Sequence, residues 1–213
     1  MIVKITQTAS NVKQEYNIES ESFYYQGKAG SLSPLQSVIM TNKDACIKGT
    51  YKISKLFNYI PLRYLFGKIN LTRCFHLYKN NSKYGSFAFL RQGISKCHYV
   101  ITLDSGEIFN LYSLSRGDFN YISIYLGDTQ IALIETALSV DSFKYIHNLY
   151  ILDDYNHLAD TFSLFTIYYA SYNFARRFHM SVGYTVAKSW TVSEYSDKYN
   201  PEWKEKCFSI KNS

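Results

Sequence analysis

Proline and glycine are scarce in this chain, three and ten among 213 residues. That excludes collagen-like repeats and Pro/Gly-rich low-complexity segments. With little to break it up, a chain of this length is expected to build one large core. Cysteine is sparser still. Cys46, Cys74, Cys97 and Cys207 lie far apart and form no CxxC pair. A disulfide-dense scaffold and the ligand spacing of structural zinc are thereby excluded, and the expectation is small core cysteines in a reduced, cytoplasmic protein. The opening MIVKITQTAS has no basic stretch followed by an apolar run, so no secretory signal is expected. The chain also lacks a P-loop, a GxSxG elbow and an HExxH pair. A triad can still assemble from distant residues, but nothing positive points to one. The expectation is a non-enzymatic protein with no cofactor and no metal.

What is abundant is aromatic: 21 Tyr and 14 Phe. A disordered chain carries few such residues, and Tyr, Phe, Ile and Thr favour strands. Short alternating segments follow one another. SKCHYVITL (95–103) places Cys97, Tyr99, Ile101 and Leu103 on one face, and Asp104-Ser105-Gly106 turns the chain into EIFNLYSL (107–114). Arg116-Gly117-Asp118 is read as the next turn rather than an adhesion signal. FNYISIYL (119–126) alternates, with Ile122, Ile124 and Leu126 expected inward and Tyr121, Ser123 and Tyr125 outward. Gly127-Asp128 leads into 129–138, and 143–152 alternates again. Upstream, 72–79 and 84–91 flank an expected loop, Asn80-Asn81-Ser82-Lys83. Weaker strands fall near 2–8, 12–18, 22–28 and 46–54. No helical crossover separates these segments, which excludes a parallel α/β sheet. The pattern predicts a mainly β fold, an antiparallel meander closed into a barrel or folded as a sandwich.

One segment breaks the pattern. HLADTFSLFTIYYASYNFARRF (157–178) carries Leu158, Phe162, Leu164, Phe165, Ile167, Tyr168, Tyr169, Tyr172, Phe174 and Phe178 around every side of a helical wheel. A helix apolar all round must be buried, in a core or in a bilayer. Asp160, Thr161, Ser163, Thr166, Ser171 and Asn173 make a bilayer costly, so the reading is a core helix. Asp153, Asp154 and Asn156 supply capping chemistry at its start, and Arg176 and Arg177 suit its last turn. His147, Asp153, Asp154 and His157 are close in sequence, but a strand histidine and a helix N-terminus account for them better than a metal.

Charge is uneven. Residues 43–103 hold eleven basic side chains against one acid, Asp44, a net +10 in a chain of formal charge +6. Residues 1–42 are neutral and 104–213 carry −4. Within the basic stretch, YKISKLFNYIPLRYLFGK (51–68) interleaves Lys52, Lys55, Arg63 and Lys68 with bulky apolar residues. Such mixtures suit an anionic surface, with charges at headgroups and rings below them; they also suit a segment that covers one barrel end. Lys52, Lys55, Arg63, Lys68, Arg73, Lys79 and Lys83 are the candidate anion-binding residues.

The order of elements, a long antiparallel meander ending in one apolar helix, resembles the tubby C-terminal-like superfamily. It is most similar to the small bacterial LURP-one-related and phospholipid scramblase-like proteins. ALSVDSFKYIHNLYILDDYNHLADTFSLFTIYYASYNF (137–174) carries the resemblance, with the hairpins in 72–91 and 95–126 before it. It covers residues 1–178 and is one of pattern. The resemblance implies a closed antiparallel barrel of about 12 strands around a central hydrophobic helix. Residues 179–213, with Trp190 and Trp203, depart from it and are expected as an extension packed on the barrel, covering its mouth or extending the sheet. It also implies membrane-linked roles, since tubby domains bind phosphoinositides through basic residues and scramblases are associated with lipid movement. No family ligand motif matches position by position, so no binding residue is carried over.

Two function classes follow. One is a non-enzymatic domain that binds anionic phospholipid or another phosphate-bearing ligand, cytoplasmic and peripheral at the membrane. Nucleic-acid phosphate is a less favoured ligand of the same surface. The other is a protein-interaction or scaffold module with no lipid role.

Overall fold

The computed structural model describes residues 1–10, 13–30, 37–51, 74–92, 96–116, 119–137, 145–173, 195–200 and 202–208. Its strands run in chain order: β1 (Ile2–Ser10), β2 (Lys13–Glu19), β3 (Tyr24–Gly30), β4 (Ser37–Thr41), β5 (Cys46–Tyr51), β6 (Cys74–Lys79), β7 (Ser82–Gln92), β8 (Lys96–Leu103), β9 (Ile108–Arg116), β10 (Phe119–Leu126), β11 (Thr129–Ala137) and β12 (Ile146–Ile151). Each is antiparallel to the next, and β1 pairs with β12 from Ile2↔Tyr150 to Thr6↔Ile146, which closes the barrel. Closure leaves no sheet edge to recruit another chain. The expected antiparallel barrel is therefore present, with twelve strands. β4 is the strand that periodicity did not find, since SVIMT offers too few alternations to stand out.

Local chemistry sets the turns. Asn80 and Asn81 both adopt positive φ (50° and 68°), as a two-residue hairpin of the primed type demands. Lys79 therefore pairs with Ser82, and the loop is two residues rather than the expected four. Gly127, at φ 59°, serves the β10–β11 turn.

A barrel of about eight strands is filled by its own side chains, and its diameter grows with strand number. Twelve strands leave room for more, and an α-helix about 10–12 Å across fills it. After β12 the chain makes a 3-10 turn (Asp153–Leu158) and then α1 (Ala159–Asn173), which runs up the lumen. Its start is two residues later than expected, because 153–158 wind more tightly. Asp153 does not cap the helix; it meets the Met1 amine at 3.1 Å. Every residue of α1 from Thr161 to Ser171 is buried, so the spanning alternative gives way to the core one. No helix among the described residues is long and apolar enough to cross a membrane. Two polar side chains of α1 are absorbed within the helix. Thr166 Oγ1 donates to the Phe162 carbonyl and Ser171 Oγ to that of Tyr168, both at 2.8 Å.

The helix sits off-centre. On one side glycines on the inward rows of β3 and β5 let the helix approach: a Cβ at Gly27 would lie 2.6 Å from Ile167 Cδ1, and one at Gly49 3.6 Å from Leu164 Cδ2. The wider gap on the other side is filled by rings. Phe75 meets Tyr168 (4.5 Å between centroids), Phe87 and Tyr99 meet Phe165 (5.7 and 5.1 Å), and Phe109 meets Phe162 (5.5 Å).

Space is least yielding at Gly85, where an added Cβ would lie 2.7 Å from the Thr102 carbonyl oxygen and 3.2 Å from Leu103 Cα. Backbone cannot swing aside as a side chain can. Gly85→Ala is expected to lower stability by about 1–3 kcal/mol, the range for overpacking. Gly30→Ala, with nothing within 4 Å of the new Cβ, is the control. A urea midpoint for G85A equal to that of G30A would show that the strands part without cost.

Candidate ligand-binding surface

Linear clustering of charge becomes spatial only if the segments lie side by side, and here the strands do. β5, β6, β7 and β8 are successive neighbours in the barrel wall. Lys43 in the β4–β5 hairpin, Lys48 on β5, and Lys79 and Lys83 flanking the β6–β7 turn fall within one sector. Lys48 lies opposite Tyr78 on the outward row of β5 and β6. Acids lie at the β8–β9 hairpin (Asp104 and Glu107), at the β10–β11 turn (Asp128) and before α1 (Asp153 and Asp154), and Asp104 borders the sector beside Lys83.

Of the seven candidate residues, Lys52, Lys55, Arg63, Lys68 and Arg73 lie outside the described residues. Lys79 and Lys83 are both drawn into ion pairs. Lys79 Nζ donates to Asp160 Oδ2 at 2.9 Å, and Lys83 Nζ to Asp104 Oδ1 at 3.2 Å. Both lysines are about half exposed, so each pair contributes at most about 1 kcal/mol. Asp160 sits in the first turn of α1, where a negative charge favours the helix dipole. Burial, with Asp160 beside it, pushes the Tyr25 hydroxyl up to about 12. Tyr84, near the same carboxylate, also has a raised pKa, chiefly through burial, and its hydroxyl accepts from Thr161 Oγ1 at 3.4 Å. Lys79 thus helps to close the barrel mouth over the start of the helix.

Lys79 and Lys83 lie where α1 enters, whereas residues 52–73 join the wall at Tyr51 and Cys74, at the other end of β5 and β6. Five residue steps along β6 separate these ends, roughly 17 Å at ~3.3 Å per residue. That exceeds the Debye length of ~8 Å at physiological salt, so a ligand at one end gains little from the other.

Other expectations fare differently. The cysteines are not core residues: Cys46 and Cys207 are exposed, and Cys74 and Cys97 intermediate. Among the described residues no group of three or more His, Cys, Asp or Glu comes together as a metal site. His147 faces the lumen and its Nδ1 lies 2.7 Å from Thr136 Oγ1. Nearby, Tyr169 of α1 meets Ser113 Oγ at 2.6 Å and accepts from Asn120 Nδ2 at 3.0 Å, which ties the helix to β9 and β10.

The outward residues of β10 depart furthest from expectation. Ser123 and Tyr125 face away from the lumen, as their alternation requires, yet both are buried. Residues 195–208 cover them. Tyr195, Tyr199 and Trp203 fall at intervals of four, a spacing visible in the sequence whose binding face was not.

No family model matches the chain, and no curated protein or solved structure matches it.

Proposed function

We propose that this is a non-enzymatic binding domain whose basic sector engages a phosphate-bearing surface, with an anionic bilayer as the first candidate. The observation that supports this reading is the +10 charge of residues 43–103, of which Lys43, Lys48, Lys79 and Lys83 fall on or between the neighbouring strands β4 to β7. The packed lumen supports it as well, since helix and rings occupy the interior and leave recognition to the outer surface. The tubby-like resemblance points the same way. Because Lys79 and Lys83 are paired with carboxylates, the residues expected to meet the ligand are Lys52, Lys55, Arg63 and Lys68.

Each basic group near an anionic surface contributes roughly 1 kcal/mol, so four correspond to about a thousandfold in partition. Co-sedimentation with vesicles of phosphatidylserine and phosphatidylcholine, against phosphatidylcholine alone, tests this. Binding is expected to need the anionic lipid, to fall steeply as salt rises, and to be lost in the fourfold Lys52→Glu, Lys55→Glu, Arg63→Glu, Lys68→Glu variant. Equal sedimentation of wild type and variant at low salt would reject the surface. A mobility shift with duplex DNA or RNA, absent with vesicles, would move the ligand to nucleic acid.

A further inference from the structure

Charge is unevenly shared along the barrel axis. The connections at 20–23, 42–45, 80–81, 104–107 and 127–128 and the 3-10 turn Asp153–Leu158 all lie at the end where α1 enters, and β1 starts there. Taken with their flanking residues, these segments (1–4, 19–24, 42–46, 79–83, 103–108, 126–129 and 152–160) hold nine acids against four lysines, a net −5. The rest of the chain holds nineteen basic side chains against eight acids, a net +11. Two of the four lysines, Lys79 and Lys83, are held by carboxylates, whereas Glu21, Asp44, Asp128 and Asp154 are exposed. The run between Tyr51 and Cys74, with Lys52, Lys55, Arg63 and Lys68, leaves and rejoins the wall at the opposite end. β7 reaches from one end to the other. It spans about 33 Å along the strand, or roughly 25 Å along the axis at the tilt of ~40° that barrels adopt. That is roughly three Debye lengths at physiological salt, so each end meets an external field by itself.

We infer, on the reading that the protein binds anionic bilayers, that the bound barrel stands on end, with the α1-entry end turned away from the lipid and the opposite end toward it. The reason is repulsion as much as attraction. A negative surface potential draws lysines and arginines to the headgroups and repels carboxylates, and both effects fade within a Debye length. With the entry end down, the carboxylates of Glu21, Asp44, Asp128 and Asp154 would face the headgroups. The run between Tyr51 and Cys74 would then join the wall roughly 25 Å away, beyond the reach of the surface. A barrel on its side would bring the acidic connections to the lipid together with that run. Only the end-on orientation with α1 entering from the far side keeps the two apart. It also leaves the exposed Cys46, next to the 42–45 hairpin, in water.

Energy transfer from the protein to the membrane reads the orientation. A donor dye is attached to Cys46, with the other three cysteines replaced by serine. In two further variants all four are serine and the dye sits at Ser105→Cys, on the β8–β9 hairpin, or at Gly30→Cys, at the opposite end of β3. An added Cβ at Gly30 meets nothing within 4 Å. Each protein is mixed at low salt with phosphatidylserine/phosphatidylcholine vesicles that carry an acceptor on labelled headgroups. Transfer is expected to be higher from position 30 than from 46 and 105. Glu21→Lys, Asp44→Lys and Asp154→Lys together bring the entry end from −5 to +1, and in that background the difference is expected to shrink. Equal transfer from the two ends, the result for a barrel on its side, overturns the orientation while binding stands, and so does higher transfer from 46 or 105. No transfer from any position, together with no sedimentation, rejects the bilayer as ligand and the orientation with it. Circular dichroism checks the fold of each variant. Lys28→Cys, exposed on the same strand, takes the place of G30C if that variant fails, and positions 46 and 105 stand in for each other.

Discussion

Phe165→Ala is expected to destabilise the protein by ~3–5 kcal/mol, the range for a large aromatic lost from a core. Phe165 is fully buried on α1 and touches Phe87 and Tyr99 across the wide side of the lumen. Collapse into the vacancy would require β7 and β8 to move inward, but a closed barrel couples every strand to two neighbours, so relaxation is small. The cost should therefore sit in the upper part of the range. Chemical denaturation read by circular dichroism measures it, with Phe165→Leu retaining much of the volume and losing less. A loss below about 1 kcal/mol for the alanine variant would mean that the helix does not fill the barrel as described.

Acidification should act through His147. Its side chain is buried among the inward residues of β12, and burial pushes its imidazole down to about 4, from 6.5 in an open chain. The unfolded chain then takes up the proton first. As pH falls through 6.5 the unfolded state gains stability relative to the folded one, and the loss continues until the folded imidazole itself protonates near 4. The linkage predicts a loss of about 2 kcal/mol between pH 7 and pH 5, approaching ~3 kcal/mol by pH 4. His147→Asn keeps a polar partner for Thr136 and removes the titration. Unfolding free energies measured for both proteins at pH 7, 6 and 5 give the comparison. Parallel pH slopes for wild type and H147N would dismiss His147 as the source.

These two residues mark what was legible beforehand. Phe165 belongs to a run apolar on every side, and such a run has one soluble solution, full burial. Leu149 and Ile151, on the strand that carries His147, alternate with the outward residues, so the face of that strand was readable too. The depression of the His147 pKa was not readable, because it depends on how completely α1 and its neighbours exclude water.

The sequence by itself determined the antiparallel meander, most of the hairpins, the buried helix and the concentration of basic charge in 43–103. All of these are properties of residues near one another in the chain, where periods of 2 and 3.6, turn residues and local charge speak directly. Tertiary structure decided the rest. Closure joins Ile2 to Tyr150, which no local pattern encodes. Lys79 is claimed by Asp160, 81 residues away, so a charge that looked available for a ligand serves the barrel mouth. Ser123 and Leu133 lie on an outward face and are buried all the same, because Tyr195 to Phe208 return to cover that face. Periodicity states which way a side chain points; only the folded chain states what stands opposite it, and that partner decides whether a charge is neutralised and whether an outward residue is wet.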